Sequence, residues 1–294
     1  GAILDLDTRE WRTLPQIGSN ATYLDEGYVA FFNNKNTLLA SRFDPAAGST
    51  IGSPVPVIEN VGFSFSVTAN GTLAFRPSGD VDSILTVRGR IQIADRSGRA
   101  TTVAPDNAVY LEAGGGLAFD PKNPERFLAT IRDPDATSPA HIWMYDLSRP
   151  GTRTRVTSQG FINAWPIWDA EGTRFAFISI RDPMGIYAQP PDPAAPATLL
   201  LQRRGDLQNP QAWAPDGSLV FIQLSLKTGF DIAMLDLKGT TSTLVATPAS
   251  ETRPHVSSDG KWLAYQSDGS GHSEIYVRPF PGEGATEVVS SGGG

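Results

Sequence analysis

One arrangement of apolar and polar positions recurs along the chain. Each copy starts with a large apolar residue, passes through a short turn segment to a glycine, and ends in an apolar run, as in WAPDGSLVFI at 213–222. We find six copies, whose turn positions are Gly27, Gly71, Asn123, Gly172, Gly217 and Gly260. Successive turn positions lie 44, 52, 49, 45 and 43 residues apart. A repeat of this length is typical of the four-stranded blades of a β-propeller.

Each copy is predicted to form a hairpin. Its Asp-Gly, Asn-Gly or Glu-Gly pair favours the left-handed backbone angles that a tight turn between two strands requires. A third strand follows, beginning at His141, Gly185, Asp231 and Glu274, and a short fourth strand begins at Thr152, Thr241 and Ala285. No segment has a sustained helical period. The pattern therefore predicts an all-β protein, a β-propeller of four-stranded antiparallel blades.

The start of the chain departs from the repeat. Two strands are predicted within residues 1–18, before the first hairpin copy, and they have the character of a third and a fourth strand. We therefore expect residues 1–18 to form a half-blade hairpin within a single propeller domain that spans residues 1–294. The ring is expected to have six blades, or seven if further strands complete the half-blade.

Charge and composition narrow the classes of partner. The chain carries a net charge of -7 and no local run of basic residues, so it lacks the positive field with which proteins bind nucleic acid. It contains no cysteine, which excludes disulfides, thiolate nucleophiles and zinc–thiolate sites. No stretch reaches the roughly 18 apolar residues of a membrane span. We expect neither a nucleic-acid partner nor a membrane span in this chain.

The sequence holds no complete catalytic constellation. The string GHSEI around Ser273 lacks the second glycine of a nucleophile elbow and lies between two predicted strands. His141, His255 and His272 are far apart in the sequence and do not have the spacing of a helical zinc pair. His141 and His272 are expected to be polar loop residues before third strands. We expect no catalytic residue, no bound metal and no cofactor.

A binding site is expected where the innermost strands begin, because their entrances converge on one mouth of the central channel. Repeated residues such as Trp168 and Trp213 are explained by packing between blades, whereas residues that differ between copies are better candidates. Trp165 has no aromatic counterpart, and it either contacts a ligand or plugs the channel. The candidate ligand-binding residues are Tyr110, Asn163, Trp165, Gln208, Asn209, Arg253 and His255.

Two phrases, WAPDGSLVFI and SSDGKWLAYQSDGSGHSEIYVRPFPG, resemble the Trp-Ser-Pro-Asp-Gly repeats of TolB-like propellers, which are related to the WD-repeat architecture. Nearly the whole chain, including TLLASRFDPAAGSTIGSPVPVIENV and HIWMYDL, is similar to the propeller regions of bacterial membrane-anchored serine/threonine kinases. The resemblance implies an extracytoplasmic module, periplasmic or at the cell surface. Asn123 in place of glycine and the degenerate first blade depart from the family pattern, which weakens the transfer of a detailed binding site.

Two interpretations of function remain open. The first is a non-catalytic sensor or interaction module of a larger protein, with a protein, peptide or carbohydrate ligand at the mouth. The second is a propeller enzyme, either a lyase or a metal-assisted hydrolase, or a propeller that accompanies a prolyl-oligopeptidase-type hydrolase domain. A divalent ion held on the axis by several carboxylates or histidines would favour an enzyme.

Overall fold

The computed structural model describes residues 2–4, 11–14, 17, 19–24, 27–33, 37–59, 61–68, 72–77, 86–95, 98–111, 116–132, 139–203 and 207–293. These residues form 26 strands and contain no helix. Strands β1 (Ala2–Leu4) and β2 (Trp11–Thr13) form a sheet of their own. The expected all-β class is confirmed.

The remaining strands form six groups of four, which we call blades A to F in chain order. Consecutive strands within each blade pair in antiparallel fashion. Blade A contains β3 (Ser19–Leu24), β4 (Tyr28–Phe32), β5 (Leu38–Asp44) and β6 (Ser49–Ile58); blade B contains β7 (Val61–Val67), β8 (Leu73–Pro77), β9 (Thr86–Ala94) and β10 (Ala100–Leu111); blade C contains β11 (Leu117–Phe119), β12 (Arg126–Arg132), β13 (Ala140–Asp146) and β14 (Arg153–Arg155).

The last three blades are the most regular. Blade D contains β15 (Ile162–Trp168), β16 (Phe175–Ile180), β17 (Gly185–Gln189) and β18 (Thr198–Gln202); blade E contains β19 (Gln208–Trp213), β20 (Leu219–Ser225), β21 (Gly229–Leu235) and β22 (Thr241–Val245); blade F contains β23 (Glu251–Val256), β24 (Trp262–Ser267), β25 (Glu274–Pro279) and β26 (Glu287–Val288).

The first strand of each blade is its inner strand. The inner strands of blades B to F contact one another in chain order, β7 with β11, β11 with β15, β15 with β19 and β19 with β23. Sheets also join at two crossings, where Tyr110 of β10 pairs with Ile131 of β12 and Ala140 of β13 pairs with Ile162 of β15. This is the propeller arrangement that the repeat predicts.

The core lies between the blades, because alternate residues of each strand point to opposite faces of its sheet. In β20, Phe221 packs against Ile178 of blade D, whereas Val220 belongs to a cluster with Leu263 and Tyr265 of blade F. Both Phe221 and Val220 are almost fully buried. Two-sided burial explains why the second strands of the repeat read as nearly continuous apolar runs.

The predicted turn positions connect the first and second strands in the part of the chain that the structure describes. Gly27, Asn123, Gly172, Gly217 and Gly260 have this place in blades A, C, D, E and F, and Gly71 lies outside the described residues. Gly172 and Gly217 have φ angles of 64° and 87°, the left-handed region that the turn requires. The turn of blade C is instead held by Asp120, whose carboxylate accepts hydrogen bonds from the backbone of Lys122 and Asn123.

The repeated tryptophans form hydrogen bonds between neighbouring inner strands. Trp168 Nε1 donates to the carbonyl of Ala118 at 3.1 Å, and Trp213 Nε1 donates to that of Ile167 at 3.4 Å. Each bond therefore links one blade to the preceding one. Packing between blades accounts for both residues, as their repeat position predicts.

The expected hairpin at the start of the chain is present. Ala2 pairs with Thr13 across β1 and β2. Leu14 and Ile17, which follow it, are buried against Val29 and Phe31 of blade A. That residues 1–18 form a half-blade of the ring stays a prediction.

Candidate ligand-binding site

In the described part of the chain, irregular pairing marks the inner strands of blades A, B, D, E and F. The register between β15 and β16 shifts between Ala164 and Ile167, and that between β23 and β24 shifts between Thr252 and His255. Blade E has its shift at Gln211, between Pro210 and Ala212. Such β-bulges bend the strand and point a side chain away from the regular pleat.

The bulges of blades D and F contain the only two non-glycine residues with left-handed φ angles in the described part of the chain. Trp165 has a φ of 57° and Arg253 a φ of 52°. Each precedes a proline, Pro166 or Pro254, which disfavours helical backbone angles in the residue before it. A backbone conformation of this kind costs roughly 1–3 kcal/mol and is concentrated at functional sites. Two positions proposed from the sequence therefore share one unusual conformation.

Trp165 borders a pocket of about 330 Å³ between the inner strands of blades C, D and E. The volume is within the usual range of small-ligand sites. Half of the lining residues are aromatic or proline, and Asp169 and Gln211 are its polar members; the apolar ones include Phe119, Trp165, Pro166, Trp168 and Pro210. The pocket therefore favours an apolar or ring-shaped group with a few polar contacts.

The indole nitrogen of Trp165 is buried and has no hydrogen-bond partner among the described residues. A buried donor left without an acceptor costs about 1–3 kcal/mol. By contrast, the indole nitrogens of Trp168 and Trp213 have backbone acceptors. Trp165 also packs against the apolar cluster that blades D and E share, so its side chain contributes to the seam between these blades as well as bordering the pocket.

Arg253 and His255 are exposed on β23 beside the bulge of blade F. Nearby protein atoms partly desolvate the ring of His255, although the residue is exposed, and this desolvation lowers the pKa of His255. The positive charge of Arg253 lowers the pKa of His255 further. Both effects favour the neutral ring, which offers one donor and one acceptor nitrogen to a ligand.

Three other predicted residues lie inside the blades. Tyr110, Asn163 and Asn209 are 4%, 0% and 7% exposed, so an incoming ligand cannot reach their side chains without rearrangement. The Tyr110 hydroxyl lies 3.4 Å from that of Tyr145. Gln208 is half-buried, and its side-chain oxygen, like that of Asn209, is buried with no donor in the part of the chain that the structure describes. Of the candidate residues, Trp165 and Gln208 are half-buried, and Arg253 and His255 are exposed.

Asn163 belongs to a buried polar network between blades C and D. Its Oδ1 accepts from Ser179 Oγ at 2.8 Å, and its Nδ2 donates to the Gln159 carbonyl at 2.9 Å. The same Nδ2 lies 3.2 Å from Nδ1 of His141. His141, expected in a polar loop, instead lies within β13 and is 8% exposed, because its ring fills the space beside Asn163. His272 is exposed and precedes β25.

Sequence reasoning missed the lining of the pocket. Pro166, Pro210 and Pro254 are spaced by 44 residues and stand in the inner strands of three consecutive blades. Proline within a paired strand indicates a bulge or an edge. This regular spacing is the signal that could have located the bulges, and with them Gln211 and the wall formed by Pro210.

Within the described residues, no group of three or more His, Cys, Asp and Glu side chains is placed to hold a metal ion. No helix that could cross a membrane occurs in the same part of the chain.

Solved structures share this arrangement of blades. TolB from Acinetobacter baumannii superposes with a TM-score of 0.64 at 18% identity, over 94% of this chain and 66% of that one. The chain has the TolB-like β-propeller fold. A prolyl endopeptidase gives a TM-score of 0.64 at 14% identity, and an oligogalacturonate lyase in complex with manganese gives 0.63 at 14%.

The matched region is a different share of each solved structure. The match with the endopeptidase covers 94% of this chain and 43% of that chain, and the match with the lyase covers 86% of this chain and 71% of that chain. No family model matches the sequence. At these identities the likeness concerns the fold, and the similarity to kinase-borne propellers stays a prediction.

Proposed function

We propose that this propeller is a non-catalytic binding module whose ligand docks at the inner-strand bulges around Trp165. The pocket beside Trp165 takes an apolar group of the ligand, and Arg253 and His255 supply polar contacts from blade F. The observation that carries the proposal is the left-handed backbone of Trp165 and Arg253, two residues that differ between copies of the repeat.

Strain of this kind persists only where surrounding structure enforces it. At both positions the strained residue precedes a proline inside a bulge, and its side chain is thereby released from the regular alternation of the strand. A contact with a ligand would give a reason for retaining this backbone conformation at both positions.

The ligand class that fits best is a peptide segment of another protein. A flat aromatic side chain beside a pocket lined by prolines suits stacking with rings and compact apolar groups, and Arg253 suits a carbonyl or carboxylate oxygen. We further propose that the chain is the extracytoplasmic interaction part of a larger protein. The TolB-like fold supports this placement only by analogy.

The test is selection from a random peptide library displayed on phage, using the propeller as bait. Affinities of the enriched peptides are then measured by calorimetry for the native protein, Trp165→Ala and Arg253→Ala. Loss of a buried aromatic anchor should weaken binding by about 1–3 kcal/mol, roughly 5-fold to 150-fold.

Arg155→Ala is the matched control, because Arg155 is an exposed arginine on the outer strand of blade C. It should bind the selected peptides as tightly as the native protein. Equal affinities for Trp165→Ala, Arg253→Ala and the control would place the ligand elsewhere on the propeller. A glycan array run in parallel identifies a carbohydrate ligand instead, with the same variants as the readout.

A further inference from the structure

A guanidinium group without a counter-ion lies at the entrance of the inner strand of blade D. Arg181 follows β16, whose last residue Ile180 pairs with Ile162 at the start of β15. No carboxylate lies within 4.0 Å of its nitrogens in the described part of the chain. The corresponding positions, 44 and 88 residues further along, are Ser225 at the end of β20 and Gly269 after β24, so the cation is not part of the repeat.

Neutral groups hold Arg181 in a fixed orientation. Its Nε donates to Ser179 Oγ at 2.7 Å, and its Nη2 donates to Asn163 Oδ1 at 3.2 Å. The guanidinium carbon Cζ lies 4.1 Å from the centre of the Tyr187 ring, a distance at which cation–π attraction operates. These contacts fix the side-chain rotamer of Arg181 before a ligand binds. Binding therefore costs less conformational entropy than it does for a mobile arginine.

The network around Arg181 is closely packed. A Cβ atom added to Gly160, whose φ is 93°, would lie 2.6 Å from Ser179 Oγ and 3.3 Å from Asn163 Oδ1. Only glycine fits there without moving the two side chains that orient the guanidinium. The orientation of Arg181 therefore depends on the loop residue Gly160 as well as on the strand residues Ser179 and Asn163.

The bonded atoms leave one edge of the guanidinium open. Nε and Nη2 form its side edge, which Ser179 and Asn163 occupy. Nη1, at the far end, has no acceptor among the described residues and is not buried. The remaining hydrogens of Nη1 and Nη2 form a fork that matches the two oxygens of a carboxylate or phosphate.

We propose that Arg181 is an oxyanion-binding residue that takes a carboxylate or phosphate group of a ligand at the seam of blades C and D. Burial lowers the pKa of Arg181, which indicates that its charge is incompletely solvated and gains from an anionic partner. The proposal does not depend on a ligand at Trp165.

The experiment follows the side-chain Nε–Hε resonance of Arg181 by NMR in isotopically labelled protein, assigned by its loss in Arg181→Lys. Sodium acetate and sodium phosphate are titrated separately, with sodium chloride at matched ionic strength as the reference. We expect a saturable shift with one or both oxyanions that chloride does not reproduce. A response to acetate alone assigns a carboxylate group, and a stronger response to phosphate assigns a phosphate group.

The Arg181→Lys variant retains the positive charge but loses the pair of nitrogens that can bind both oxygens of a carboxylate or phosphate. Its affinity, followed through the backbone amide of Gly160, should fall roughly tenfold, as expected when one charge-assisted hydrogen bond is lost. Arg174→Lys is the matched control, because Arg174 also stacks on an aromatic ring, Trp213 at 4.4 Å, but already pairs with Asp169. A linear, chloride-like response in the native protein, or an equal affinity in Arg181→Lys, would overturn the proposal.

Discussion

At Trp165 the backbone adopts a left-handed conformation that a bulky residue before a proline rarely takes. Glycine adopts these angles without a Cβ clash, whereas alanine retains the penalty. We therefore expect Trp165→Gly to be more stable than Trp165→Ala by roughly 1 kcal/mol, although glycine is ordinarily the less stable residue within a strand. Urea denaturation of the two variants measures the difference in their free energies of unfolding.

Ile167, two residues later on the same strand, provides the control for this comparison. It resumes the regular pairing with Ala176 and has no left-handed φ. Its glycine variant should be less stable than its alanine variant by about 0.5–1 kcal/mol. The same order at both positions would show that the backbone of Trp165 is not strained.

The seam between blades E and F depends on a buried carboxyl group. Glu251 at the start of β23 is fully buried and accepts hydrogen bonds from the hydroxyls of Thr247 and Ser267. It pairs with Ser267 as Asn163 pairs with Ser179 in blade D. Asn163, a neutral amide, therefore occupies in blade D the position that the ionisable Glu251 occupies in blade F.

Burial raises the pKa of Glu251 above its ordinary value of 4.5, and the charge of Asp231 adds to the increase, while the bonds from Thr247 oppose it. The protonated form is thus favoured in the folded state. Its contribution to stability is complete below the unfolded pKa and is lost as the pH rises through the folded pKa. Glu251→Gln keeps the shape without the titration, so its stability relative to the native protein should increase from pH 4 upward.

Denaturation curves of the native protein and Glu251→Gln, taken between about pH 4 and 7, test this expectation. Glu125→Gln is the control, since Glu125 lies in the turn of blade C, away from this seam. A constant difference in unfolding free energy between the native protein and Glu251→Gln across the range would contradict a buried, titrating Glu251.

The strands were predicted from the alternation of residues, whereas the bulges were missed although the 44-residue spacing of Pro166, Pro210 and Pro254 marks them. The segment HIWMYDL beginning at His141 coincides closely with β13, because alternation and turn residues locate a strand. The faces of Asn163 and Asn209 could not be inferred, since one extra residue in a bulge reverses which side chains point inward. Arg181 gave no signal in the sequence, because its role depends on contacts with Ser179, Asn163 and Tyr187.

Across the whole molecule, blades B to E are stabilised mainly by their neighbours, because both faces of each are buried against the blades on either side. In such an array, stability is approximately the sum of blade and interface contributions. Removing one interface should therefore lower stability by a limited amount. The start of the chain offers a place to measure this, since Leu14 and Ile17 pack on Val29 and Phe31 of blade A.

Two truncations separate the hairpin from this contact. Deleting residues 1–13 removes β1 and β2 but keeps Leu14 and Ile17, whereas deleting residues 1–17 also empties the cluster beneath blade A. Loss of a buried leucine or isoleucine typically costs about 2–5 kcal/mol, so the longer deletion should reduce the free energy of unfolding by at least about 2 kcal/mol more than the shorter. Urea denaturation measures both, and light scattering after size-exclusion chromatography shows whether the apolar surface of Val29 and Phe31 that the longer deletion uncovers promotes association. Equal stabilities would show that Leu14 and Ile17 contribute nothing to blade A.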